Sequence, residues 1–167
     1  MDAIGEAARA AAGAFAYATD VEQQCCGGLN FGYDYDASPI IAYDGETAPT
    51  YTMGTFTSST VPGCRAHHIW LGEKRSLYDE MGADFALLRL DPPTRVEGIR
   101  EAGAKRGLPL VVLDIGTTEA SGFYRHKLVL VRPDQHVAWR GDREPGNPLD
   151  LVDMIRGASR GHTGQAA

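Results

Sequence analysis

The chain has 167 residues, 43% hydrophobic and 23% charged, the profile of a soluble globular protein with about one domain's worth of core. Sixteen basic against 22 acidic side chains leave a net charge of −6 and no basic stripe, which excludes a phosphate backbone, and so nucleic acid, as a natural partner. The longest small-apolar run, Ala7 to Ala18, contains Arg9 and Gly13, lacks a basic region ahead of it, and falls short of the ~20 strongly apolar residues of a membrane span. Three cysteines, an odd number, do not form a disulfide framework, so the composition points to a reduced, cytoplasmic protein with no membrane partner.

In chain order, Ile4, Ala8, Ala11, Ala12 and Phe15 recur at helical spacing and predict a helix to about Gln24. Its polar positions are so few that it is expected to lie against something. With a Gly27-Gly28 exit it makes up residues 1–28. Residues 29–63 read as an irregular extension, punctuated by Pro39, Asp44-Gly45, Pro49 and the Ser/Thr-rich run Thr55 to Thr60. Within it, Ile40 to Tyr43 and Tyr51 to Met53 are candidate short edge strands.

Residues 64–157 carry the most regular pattern. His68 to Leu71 reads as a strand, Ser76 to Met81 as a short helix, and Phe85 to Leu90 as a buried strand broken only by Arg89. Asp91-Pro92-Pro93-Thr94 is expected to start a helix with Val96, Ile99 and Ala102 on its inner face, closed by Gly107. Leu110 to Ile115 is another buried strand, and a helical connection makes the pair parallel, with a right-handed crossover. After a polar loop, Gly116 to Gly122, Leu128 to Val131 and His136 to Arg140 form a hairpin about Pro133-Asp134-Gln135. A last helix runs from Pro148 to Arg156, capped by Asn147. The tail, residues 158–167, is small, polar and expected to be flexible. Strand, helix, strand, then hairpin and helix is the βαβ-ββα core of the thioredoxin fold, so the predicted class is α/β, thioredoxin-like, with an N-terminal helix and an irregular extension.

Thioredoxin chemistry needs Cys-x-x-Cys at the start of the first crossover helix, where the helix dipole holds a thiolate. Asp91-Pro92-Pro93-Thr94 has no sulfur; a carboxylate there is expected to cap the helix. The proline that packs beside the thiols is also missing from Gly122 to Lys127. Cys25-Cys26 reads as two small apolar residues at a helix end. Cys64-x-x-His67-His68 has metal-ligand residue types, and Cys25-Cys26 could complete a zinc set, but adjacent histidines in a strand point to opposite faces. Asp34, Asp36 and Asp44 among Tyr33, Tyr35 and Tyr43 read as a solvated loop, and Trp70 and Trp139 as core or interface residues. No Gly-x-Gly-x-x-Gly opens a βαβ unit, and Gly103 to Gly107 ends a helix and cannot offer free N–H groups to a pyrophosphate. No catalytic, cofactor-binding or metal residue is therefore assigned from the residues themselves.

Several blocks, in order, resemble the flavin-dependent aromatic hydroxylases of the phenol and chlorophenol type. They are Leu29-Asn30-Phe31-Gly32-Tyr33-Asp34-Tyr35, Pro62 to Leu71, Arg75-Ser76-Leu77-Tyr78-Asp79, Phe85 to Arg89, and the hairpin Leu128 to Gly141. His67 stands where that family has proline. The resemblance implies the C-terminal thioredoxin-like domain of such enzymes, which lies against the catalytic domains and contributes to oligomer contacts. It also implies that FAD and NAD(P)H belong to a full-length parent enzyme and not to this chain. The leading expectation is a non-catalytic accessory domain whose partner is the FAD/substrate domain of a flavoprotein hydroxylase, or a second copy of itself. One alternative is that the chain is the tail of an active NAD(P)H/FAD-dependent hydroxylase. The other is a divergent thiol-redox or metal-binding module using Cys25, Cys26 and Cys64.

Overall fold

A computed structural model describes residues 3–24, 26–116 and 120–158. The chain divides into two compact units: residues up to Tyr33 with Pro49–Thr57, and Asp34–Ala48 with everything from Ser58 onward.

The first unit opens with α1, Ala3–Gln24, a helix as its alanine content dictates. Among its described side chains none is buried, and Ile4, Phe15 and Tyr17 are 83%, 76% and 73% exposed. The expected inner face is thus uncovered among the described residues. Cys25 lies outside them. Gly27-Gly28 is not an exit but the start of a short helix, α2, Gly27–Phe31. Glycine is needed there because a Cβ on Gly28 would come within 1.8 Å of the Thr52 carbonyl oxygen. That approach lets the Met53 carbonyl accept from the Gly28 and Leu29 amides at 3.0 and 3.3 Å. Tyr51 to Met53 is consequently not an edge strand; Thr52 N–H donates to the Thr55 carbonyl (2.9 Å) in a tight turn.

The second unit is built on a four-stranded sheet of order β2-β1-β3-β4. β1 is Phe85–Arg89, β2 Leu110–Asp114, β3 Leu128–Val131 and β4 Val137–Gly141. β1 runs parallel to β2 (Leu87 beside Val112) and antiparallel to β3 (Leu87 beside Leu130). Strand alternation divides the core in two. Leu87, Leu128 and Leu130 face one side, with Ile99 and Ala102 of α4 (Glu97–Arg106) and Leu151, Val152 and Ile155 of α5 (Pro148–Ile155). Ala86, Leu88, Val129 and Val131 face the other, with Ala66, Ile69, Ile115, Tyr124 and Leu77 and Met81 of α3 (Leu77–Met81). Sandwiched between these layers, β3 is buried at every position.

Expected punctuation accounts for much of this. Gly107 takes the left-handed conformation (φ 65, ψ 26) that ends α4. Asn147 Oδ1 accepts the Leu149 amide at 3.2 Å, with Pro148 in the first turn of α5. The hairpin turns through Gln135 at φ 67, its amide on the Arg132 carbonyl (2.9 Å). Three expectations are corrected. His68 to Leu71 is not a strand: Leu71 N–H bonds the Arg75 carbonyl (2.8 Å) and Leu77 N–H the Ile69 carbonyl (3.1 Å), so the segment folds back on 75–77 instead of joining the sheet. Ile40 to Tyr43 is not an edge strand either; it turns at Ser38–Ile41 and gives β4 one bond, Ala42 N–H to the Ala138 carbonyl (2.8 Å). The helix expected from Asp91 starts at Glu97, because residues before proline are pushed out of the helical region and Asp91-Pro92-Pro93-Thr94 closes a turn instead. Of the expected flexible tail, only Ala158 falls among the described residues. No described helix is long and apolar enough to cross a membrane.

Candidate functional site

Chemistry in a sheet of this topology is most readily placed at the carboxyl ends of β1 and β2. There Asp91 does not cap α4. Its carboxylate accepts the Thr94 hydroxyl (2.8 Å) and pairs with Lys127 Nζ (3.0 Å), and these two contacts hold its pKa below the usual carboxylate value. Next to it Arg89 spans the parallel strands to Asp114, with Nε–Oδ1 at 2.5 Å and Nη2–Oδ2 at 2.9 Å. The start of α4, the helix that follows β1, is occupied by acid. Val96 N–H donates to Glu97 Oε2 (3.1 Å) and Ile99 N–H to Glu144 Oε1 (2.8 Å). Two carboxylates on those amides would repel a pyrophosphate, so this terminus does not fit the dinucleotide of a flavin or nicotinamide cofactor.

The histidines near Cys64 are separately engaged. His67 stacks on Phe123 (ring centroids 3.5 Å), and burial, with the nearby His68 charge, lowers its pKa. His68 Nε2 lies 2.9 Å from Ser76 Oγ, its ring edge-on to Trp70 and Tyr78. Cys64 is buried, which pushes its thiol pKa up, away from the thiolate that redox or metal chemistry requires. Its backbone instead extends the sheet: Val137 N–H donates to the Cys64 carbonyl (2.9 Å) and Gly63 N–H to the Val137 carbonyl (2.8 Å), covering the β4 edge. Cys26 belongs to the other unit. Among the described residues no three His, Cys, Asp or Glu side chains converge as a metal group would.

The tyrosine–aspartate region resolves into structural contacts. Tyr43 donates its hydroxyl to the Tyr35 carbonyl, and Tyr35 donates its own to Asp134 (3.1 Å) while its ring meets buried His136 at 4.7 Å. Asp44 is not a solvated loop carboxylate. It accepts from Arg140 Nε at 2.6 Å, and Arg140, its side chain 3% exposed, also bonds Glu46 and reaches Thr60 Oγ1 (3.4 Å). A β-bulge sets this up. Val131 pairs with Val137 but Leu130 with Trp139, so Ala138 is the extra residue and Arg140 lands opposite Val129. Reading residue types missed this cluster; a lone arginine in a strand was its only signal. Trp139 packs against the core, whereas Trp70 is 56% exposed and outside any strand.

Residues 59–158 match the family model described as aromatic-ring hydroxylase, C-terminal. The chain belongs to this family. A relative in Emericella nidulans, the FAD-dependent monooxygenase apdD, is 33% identical over 69% of this chain and 20% of its own length. Phenol 2-monooxygenase of a Pseudomonas species is 27% identical over 78% of this chain and 24% of its own. Among solved structures, the rebeccamycin biosynthetic enzyme RebC, soaked with chromopyrrolic acid, is 36% identical with a TM-score of 0.78, over 95% of this chain and 30% of that one. The chain thus spans between a fifth and a third of the relatives it matches. The C-terminal hydroxylase domain in question is the mixed α/β unit described above.

Proposed function

We propose that this chain is a thioredoxin-like accessory domain without a catalytic centre of its own, which docks on the FAD- and substrate-binding part of an aromatic-ring monooxygenase. One observation carries the reading: α1 leaves Ile4, Phe15 and Tyr17 exposed on a helix with no buried side chain among those described. Apolar surface of that kind marks an interface, and aromatic side chains bury roughly 150–250 Å² each when covered. The absent body of the relatives, some 70–80% of their length, supplies a cover of the right kind. The strand order and the β1–α4–β2, β3–β4–α5 succession support a thioredoxin-like core, and the acid-filled start of α4 supports a chain that binds no flavin itself.

The test has two arms. The pure chain, incubated with FAD and desalted, is expected to emerge colourless; a stoichiometric yellow complex refutes the reading. Mixed with RebC truncated of its matching C-terminal region, the chain is expected to co-elute with it, and Phe15→Glu to abolish co-elution. Sedimentation over a range of concentrations separates docking from self-association through the same helix.

A second reading is favoured by the reach of the RebC match into α1, since it covers 95% of the chain. On it, the chain is the C-terminal portion of an active NAD(P)H/FAD-dependent hydroxylase, and flavin and aromatic substrate are held by the remainder. Aromatic hydroxylation restored when chain and flavoprotein body are combined, and absent from either alone, would select it.

A further inference from the structure

The two connections that leave the parallel pair go to opposite faces of the sheet. From β1 the chain passes to α4, which packs with Leu87 and Leu128 on one side. From β2 it passes to Ile115, Ala120 and Tyr124, which pack with Leu88 and Val129 on the other. Where successive connections diverge this way, a crevice opens at the strands' carboxyl ends, the ordinary place for a ligand in an open α/β sheet. The crevice exists here as a cavity of about 190 Å³, lined by Leu90, Asp91, Ile115, Tyr124 and the consecutive basic residues Arg125, His126 and Lys127. Its lining residues all belong to the second unit.

We infer that this cavity is a binding site for a small one-ring organic carboxylate. The size sets the first limit. Drug-sized ligands occupy ~300–1,000 Å³, so a cavity this small admits little more than one ring with its charged group. The lining sets the second. Leu90, Ile115 and the Tyr124 ring give an apolar floor, and the Tyr124 hydroxyl is already committed to the His67 carbonyl. The rim decides the charge. Lys127 is neutralised by Asp91 at 3.0 Å, but Arg125 is exposed and has no carboxylate partner among the described residues. His126 Nδ1 is buried without a hydrogen bond, 3.5 Å from Asp142 Oδ1. In a chain of net charge −6, a guanidinium without a carboxylate partner among the described residues, beside an apolar crevice, is matched by a carboxylate, which it can bind through two parallel hydrogen bonds.

The test is a ¹H–¹⁵N titration of the whole chain with sodium benzoate, and with benzamide as the uncharged isostere. Benzoate is expected to saturate with a millimolar Kd, the range for so few atoms, shifting the amides of Leu90, Ile115 and Arg125. Benzamide and the variant Arg125→Gln are each expected to weaken binding about tenfold, the value of one charge-assisted hydrogen bond, while Lys74→Gln, on an exposed turn outside the cavity lining, leaves it unchanged. Arg125 is exposed and makes no hydrogen bond or ion pair among the described residues, so an unchanged spectrum without ligand certifies the variant. Any of four results overturns the assignment: no saturation, shifts mapping elsewhere, benzamide binding as well as benzoate, or equal losses in Arg125→Gln and Lys74→Gln.

Discussion

Replacing Arg140 by methionine keeps the unbranched stem as far as its fourth atom and removes the guanidinium with its charge. Arg140 is 3% exposed, bonded to Asp44 and Glu46 and close to Thr60, so the substitution severs charge-assisted contacts worth ~1.5–3 kcal/mol each. Breaking a fully buried pair costs ~3–5 kcal/mol because a charge is stranded without water. Here the stranded carboxylates are 31% and 55% exposed, so solvent takes them back and the higher figure does not apply. The expected loss is therefore about 2–3 kcal/mol at neutral pH, which moves the urea midpoint by about 1 M for a domain of this size. A cycle with Asp44→Asn should return a coupling of about 1–2 kcal/mol. The exposed pair Arg75–Glu80, at a comparable 2.9 Å, is the control, and Arg75→Ala should leave the midpoint in place. An Arg140→Met midpoint within about 0.5 kcal/mol of the parent would refute the argument, and with it the idea that burial separates this cluster from surface ion pairs.

Leu87→Ala, at a central position with no exposure, should cost about 3–4 kcal/mol in the same urea assay. Asn147→Ala removes the acceptor for the Leu149 amide and should cost about 1 kcal/mol. Burial lowers the His136 pKa from its ordinary 6.5, against the pull of Asp134. Below pH 6.5 the unfolded chain therefore binds more protons than the folded one, and stability falls as pH drops through the region beneath that value; His136→Gln should flatten this slope. Cys64, buried and with its pKa raised, should react with an aromatic disulfide only at the rate of unfolding, so urea should accelerate its labelling steeply.

Much of the second unit was legible because short-range physics is strict at the hairpin turn through Gln135, at Gly107 past the end of α4, and at Asn147-Pro148 at the start of α5. The apolar strands Phe85–Arg89 and Leu128–Val131 were equally readable, since burial on both faces demands a continuous run. His68 to Leu71 misled because a four-residue apolar stretch does not state where its backbone partners lie, and these turned out to be local. The start of α4 misled because proline suits a first helical turn and a tight turn alike, and the second use prevailed.

Sequence alone determined the succession β1, α4, β2, hairpin, α5 and the caps at Gly107 and Asn147, because periodicity and restricted dihedrals act within a few residues. Tertiary structure alone decided the function of Arg140, whose acidic partner is 96 positions away, and the divergence of connections that opens a cleft beside Arg125. A one-residue bulge at Ala138 chooses the face on which Arg140 lies. Such choices belong to strand register and long-range packing, where the energy comes from groups that meet only once the sheet has formed.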